Sequence, residues 1–314
     1  MIDKRFMNFK KSLSIVLCIL ILFPSQIFAL ENKILFKINN ETVTTIDIFN
    51  EIKYLTFLNK EFKKFKQNEI FEIAKDSLIK EKIKEIELKK FFKKIELDEK
   101  FIEKFAINYF SKFNINSYQD LEKLLIANKL KIEVIKKKIT IQLMWNEIIT
   151  KKYSQNIKID KELIREEISK KRTQDEFLIS EIVFNVDNKN ELNKKFDNIK
   201  DEIEQNSFSK AAIVHSISSS AINGGEIGWI KESSLSNKIK NEIKNIQVGE
   251  ITKPIKIPGG FIILKIENMR KIQLQLDDNE ETEKIVKRKT NEQLNQFSNI
   301  YFNKIKKNVR IDEL

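Results

Sequence analysis

The sequence predicts an α+β protein in which a mostly helical framework is interrupted by one stretch of short strands. Three observations carry that expectation. Apolar residues recur at helical spacing through about 44–171 and again through about 279–307. Segments 177–186 and 261–266 carry strand patterning instead. All six glycines, with Pro254 and Pro258, fall between residues 224 and 260, where tight connections between short strands need them.

Residues 1–29 read as a leader. Lys4, Arg5, Lys10 and Lys11 precede the apolar run Ser12 to Phe23, Pro24 and Ser25 break it, and Ala29 offers a small residue for cleavage. The run is shorter than the roughly 20 residues of a spanning helix. Export with cleavage after Ala29 is therefore the expectation, and retention as an anchor is the alternative. Leu17 stands before Cys18 where lipidation needs a small residue.

The remaining elements follow in order. Ile34 to Ile38 reads as a strand, Asn39-Asn40 as a turn and Thr42-Val43 as a short return. Thr44, with Asp47 three residues on, caps a helix running to about Leu58. Ile73, Leu78, Ile79, Ile83 and Ile86 form the stripe of a helix within 70–92, and Asp98 opens another to about Phe113. Ser117 caps a shorter one. A long helix from about Lys129 to Lys152 turns Ile132, Ile135, Ile139, Leu143 and Trp145 inward, and Asp160 begins one ending near Lys171.

The texture then changes. Phe177 to Val186 reads as a strand, Asn190 to Gln205 and Phe208 to Val214 as amphipathic helices. Phe261 to Ile266 is a strand whose apolar start suits a central place in its sheet. A final helix over about 279–307 presents Ile285, Leu294, Phe297, Ile300, Tyr301 and Ile305, a face that has to be covered. Val309 to Leu314 adds a terminal strand.

Composition narrows the chemistry. Cys18 is the only cysteine and lies in the leader, so the mature chain forms neither a disulfide nor a thiolate metal site. His215 is the lone histidine, which removes multi-histidine metal sites and histidine-based triads. No metal and no cofactor is expected, and no phosphate-binding glycine loop is present. The net charge of +12 falls to about +9 without the leader. Its source is lysine interleaved with glutamate rather than clustered arginine, and with no recognition motif a nucleic-acid partner is not expected.

The stretch Asn223-Gly224-Gly225-Glu226-Ile227-Gly228-Trp229 resembles the NGGxxGW signature of bacterial parvulin (PpiC-type) domains. Its neighbours agree in order and spacing: Phe208 to Ala212 and His215-Ser216 before it, Leu235 and Ile239 after it, then Val248 to Ile255 and the closing Gly260 to Lys265. The resemblance covers about Glu176 to Arg270 and implies a small four-stranded antiparallel sheet flanked by helices. A hairpin and helices before that domain, with one long helix after it, resemble the layout of SurA-type chaperones, whose N- and C-terminal segments form one helical module. The implied division is leader 1–29, helical N-terminal domain 30–172, parvulin-like domain 173–270, and a C-terminal helix, 271–314, packing on the N-terminal domain.

In active parvulins the resemblance places a polar cluster around the twisting imide: histidines on the first and last strands and an Asp or Cys in the loop before the double glycine. The matching positions here are Glu181, Ile262 and about Ser218. An apolar Ile262 makes no hydrogen bond, and a carboxylate at Glu181 replaces a neutral ring. The expectation is a binding domain with little or no isomerase activity, Ile227, Leu235, Ile239 and Ile262 lining the groove, Gly224, Gly225, Gly228 and Trp229 serving the fold, and Ser218, Ser219 and Ser220 as plain loop residues. His215 reads as a packed residue outside the cluster, and Trp145 and Trp229 as core anchors. The function implied is a periplasmic chaperone for unfolded outer-membrane or envelope proteins, without a stable membrane span after cleavage. An active peptidyl-prolyl isomerase with an altered centre at Glu181 is the alternative.

Overall fold

The computed structural model describes residues 32–169, 173–186, 188–273 and 278–313, and the leader expected over 1–29 lies outside them. Strands β1 (Ile34–Ile38) and β2 (Glu41–Thr44) form an antiparallel hairpin. Asn39 takes the left-handed conformation at its turn (φ 50°), which asparagine tolerates better than most residues. Helix α1 (Thr45–Leu58) starts on a reciprocal cap: Thr44 Oγ1 accepts from the Asp47 N–H at 3.3 Å, and Asp47 Oδ2 accepts from the Thr44 N–H at 2.8 Å.

Four more helices follow: α2 (Gln67–Leu88), α3 (Glu99–Tyr109), α4 (Tyr118–Ala127) and α5 (Ile132–Tyr153), with α6 (Lys161–Ser169) after them. Ile38, Val43, Leu55, Phe62, Ala74, Ile83, Phe110, Leu121 and Ile135 are buried together between the hairpin and α1–α5. Each of the Ile, Val, Leu and Phe side chains contributes about 1.5–3 kcal/mol by leaving water. Within this apolar packing sits an ion network. Lys138 of α5 lies 2.6 Å from Glu51 of α1 and 2.5 Å from Glu81 of α2, and the Ser77 hydroxyl donates to Glu51 at 2.6 Å. Glu51 is 2% exposed, and these partners offset the cost of burying it.

The last helix, α10 (Asp278–Lys306), returns to α2 and α5. Trp145 Nε1 donates to Ser298 Oγ at 2.8 Å, Tyr153 stacks on Phe297 with centroids 4.8 Å apart, and the Tyr301 hydroxyl donates to Glu87. Strand β7 (Ile311–Glu313) then pairs with β1, Ile311 opposite Ile38, giving a three-stranded sheet in the order β2-β1-β7. Both ends of the described chain thus belong to one helical module.

Between α6 and α10 lies a second sheet, antiparallel, in the order β4-β3-β6-β5. Its strands are β3 (Thr173–Phe184), β4 (Glu226–Lys231), β5 (Ile255–Ile257) and β6 (Gly260–Gln273). Alternation along β3 and β6 sends Ile182, Phe184 and Ile263 to one face, under α7 (Leu192–Gln205) and α8 (Phe208–His215). Phe177, Ile179, Val183, Ile262, Leu264 and Ile266 go to the other, with Leu235 and with Ile243 of α9 (Asn237–Ile243).

The α+β class holds, and β6 is central. Two features differ from the sequence reading. Strand β6 continues past Ile266 to Gln273, because Asn268–Gln273 pairs with Thr173–Leu178 although most of its side chains are polar. Helix α9 is an addition to that reading. It is only seven residues long, and its signal is a lone cap, Ser236 accepting from the Ile239 N–H at 3.3 Å.

Candidate functional site

Strand β3 carries Glu181 on the sheet face shared with Ile179 and Val183, opposite Leu264 of β6. The loop after α8 is laced to this strand. Ser216 Oγ accepts from the Val183 N–H at 3.0 Å, and the Ile217 N–H donates to the Val183 carbonyl at 2.7 Å. Ser218 and Ser220 then both donate to Glu181 Oε1, at 2.6 Å and 2.8 Å. The double glycine closes the loop from below: the Gly225 carbonyl accepts from the Glu181 N–H at 2.7 Å. A Cβ at Gly225 (φ +82°) would stand 2.3 Å from the Glu181 carbonyl oxygen. Glycine is needed there for close backbone approach.

The structure therefore brings Glu181 and Ser218 together. It also corrects the reading of Ser220 as a plain loop residue, since Ser220 is the second donor to the carboxylate. A serine two positions from another gave no sequence signal of that kind.

Ile262 lies opposite Val183 and is buried in one cluster with Leu235, with Ile239 against it. Ile227 does not join them. It falls at an irregularity in the β3–β4 register, 39% exposed, and faces the helical module. There it lines a cleft of about 560 Å³ with Leu58, Asn59, Lys112 and Asn223. The bulged extra residue turns its side chain away from the face expected by simple alternation. Trp229 is half-buried rather than a core anchor, with the Arg270 guanidinium 4.0 Å above its ring. Trp145 is fully buried.

His215 sits half-buried in the last turn of α8, its Nδ1 3.4 Å from Lys195 Nζ. Burial, then the lysine charge, push its imidazole down to about 4. Among the described residues no group of His, Cys, Asp and Glu is arranged to hold a metal ion, and no helix is long and apolar enough to cross a membrane.

The loop is also held from outside. Asn59 Nδ2 donates to the Ile222 carbonyl at 3.2 Å, Lys112 Nζ donates to Asn223 Oδ1 at 2.9 Å, and Lys210 pairs with Glu69 at 3.5 Å. Along α10, Glu281 pairs with Lys231 at 2.6 Å. Burial, joined by the Glu181 charge and opposed by Arg288 and Lys289, holds the Glu292 carboxyl above the usual carboxylate range.

The four-stranded antiparallel sheet, with two helices on one face and a double-glycine loop folded onto its first strand, lies within a stretch that resembles a known domain family. Residues 177–268 match the family described as rotamase, PPIC-type PPIASE domain. The chain is also similar to curated proteins named Chaperone SurA. Chaperone SurA of Pseudomonas putida is 32% identical over 117 residues, 35% of this chain and 27% of that one. Chaperone SurA of Pseudomonas aeruginosa is 44% identical over 63 residues, 20% of this chain and 15% of that one. The matched stretches thus span about a quarter or less of those relatives. Among solved structures, one described as SurA-like from Campylobacter jejuni is 16% identical over 90% of this chain and 99% of its own, with a TM-score of 0.36.

Proposed function

We propose that this chain is a nucleotide-independent holding chaperone for unfolded polypeptides of the bacterial envelope, outer-membrane proteins among them, and that its PpiC-type domain grips rather than isomerises. The observation that carries the second half is the pairing at Glu181. Rotation about a prolyl bond faces a barrier of ~18–20 kcal/mol, and lowering it calls for polar hydrogens aimed at the twisting imide. A carboxylate only accepts. The hydroxyl hydrogens of Ser218 and Ser220 are both committed to Glu181 Oε1, and Ile262 has none to give.

Support for holding comes from the surface. On α3, Phe101, Phe105 and Tyr109 follow one another at helical spacing, with Phe101 51% and Tyr109 45% exposed. Phe49 of α1 is also exposed. Rings presented in this way suit apolar, extended client segments. The leader over 1–29 and the similarity to SurA chaperones favour the periplasm, with 30–172 and 271–314 as the client-holding module and 173–270 as the gripping domain. Leu235, Ile239 and Ile262 form the candidate groove, and Ile227 belongs to the neighbouring cleft.

The test places photo-crosslinkers at Phe101 and at Ile239 of the mature chain and offers an unfolded β-barrel protein. Crosslinks at both positions are expected, and silence at both defeats the holding reading. A second reading, an isomerase centred on Glu181, is favoured by the convergence of Glu181, Ser218 and Ser220 at one point. A proline-peptide exchange rate well above background, lost in Glu181→Gln, establishes it over the first.

A further inference from the structure

Helix α10 belongs to the helical module, yet one of its faces also runs along the parvulin domain. Glu281 pairs with Lys231 at the end of β4. Arg288 lies in the field of Glu176, and Glu292, one turn on, in that of Glu181. At the far end the β5–β6 turn comes close: a Cβ at Gly259 would sit 3.2 Å from Ile300 Cγ1 and 3.6 Å from the Gln296 carbonyl oxygen. Positions 281, 288, 292, 296 and 300 share one stripe of the helix. The helix therefore runs from the end of β4 to the turn beside the groove strand that holds Ile262.

Polar side chains line this contact. Of the six buried polar side-chain atoms that lack a hydrogen-bond partner among the described residues, five belong to Gln174, Ser233, Ser234 and Arg288. Ser233 and Ser234 lie in a short 3-10 turn that packs against both β3 and α10, and the Ser233 N–H donates to Gln174 Oε1. Arg288 Nε lies 3.9 Å from Glu292 Oε1 of the same helix, so the contacts that cross this surface include the Lys231–Glu281 pair and the approach of Ile300 to Gly259.

We propose that α10 is a latch on the parvulin domain, closed by the Lys231–Glu281 pair and the Ile300–Gly259 contact, and that a polypeptide gains the candidate groove when the latch opens. The proposal rests on reading that groove as a polypeptide site.

The test uses the chain with Cys18→Ser and spin labels at Asn241→Cys and Asn295→Cys, both at exposed positions. Distances are measured alongside affinity for a proline-containing peptide. Glu281→Lys sets two lysines against each other. It is expected to lengthen the distances and tighten peptide binding about threefold or more, the scale of a half-buried ion pair. The swapped chain Lys231→Glu with Glu281→Lys is expected to restore both. Unchanged distances overturn the latch, and distances that move without any change in affinity overturn the competition. A peptide that binds none of the three chains sinks the reading of the groove, while the distances still decide the latch.

Discussion

The Ser218 hydroxyl lies 2.6 Å from Glu181 Oε1 and donates to it, and Ser220 donates to the same oxygen. One carboxylate oxygen thus ties strand β3 to the loop that leads into the double glycine. The arrangement is a brace for the loop as much as a polar centre, and its energetic share can be measured.

Glu181→Leu leaves both hydroxyls without their acceptor, whereas Glu181→Gln keeps one oxygen in place. Urea unfolding should find the leucine variant destabilised by about 1–3 kcal/mol and the glutamine variant by less. Equal losses would show that packing at this position, and not the hydrogen bonds, holds the loop.

Gly225 and Gly228 both have positive φ, but only Gly225 is crowded. An added Cβ meets the Glu181 carbonyl oxygen at 2.3 Å in the first case and nothing within 4 Å in the second. Gly228→Ala should cost about 1–2 kcal/mol from backbone strain alone, and Gly225→Ala clearly more. Denaturation midpoints in the reverse order would contradict the close-approach argument.

Lys138→Met strands Glu51 and Glu81 in the helical module. Removal of one partner from a buried ion network costs about 3–5 kcal/mol. Adding Glu51→Gln should recover part of that loss. A melting temperature unmoved by Lys138→Met would mean the two carboxylates find other partners.

His215 predicts an acid-sensitive step. Its folded value of about 4 lies below the ordinary 6.5, so the unfolded chain binds the extra proton first. Stability from the neutral ring is complete above about pH 6.5 and is lost as pH falls toward 4. The loss is on the order of 2 kcal/mol, since each tenfold fall in proton affinity corresponds to ~1.4 kcal/mol and partial exposure screens some of it. His215→Gln should flatten that segment of the stability–pH curve measured by urea midpoints, and parallel curves for the two chains would refute the assignment.

Much of this architecture was legible from side chains whose meaning is local. Thr44, Asp98 and Ser117 announce their helices because a cap is decided within three residues, and the structure seats each of them at a helix start. The signature glycines were legible for a similar reason: only one residue type fits a left-handed turn against a strand. What escaped depends on distant partners. The polar end of β6 becomes a strand only because β3 lies beside it, Ile227 leaves the groove face only because β4 bulges, and Ser220 meets Glu181 only once α8 has turned the chain back.

The pairing of Ile38 with Ile311 has a consequence for the order of assembly. Strand β1 is made early, but its partner is supplied at residues 311–313, and the face of Trp145 waits for Ser298. Contacts so distant along the chain form late and slowly. The second sheet draws its strands from residues 173–273 alone, so its closure needs nothing from the last helix, whereas the hairpin sheet gains its third strand only with residues 311–313.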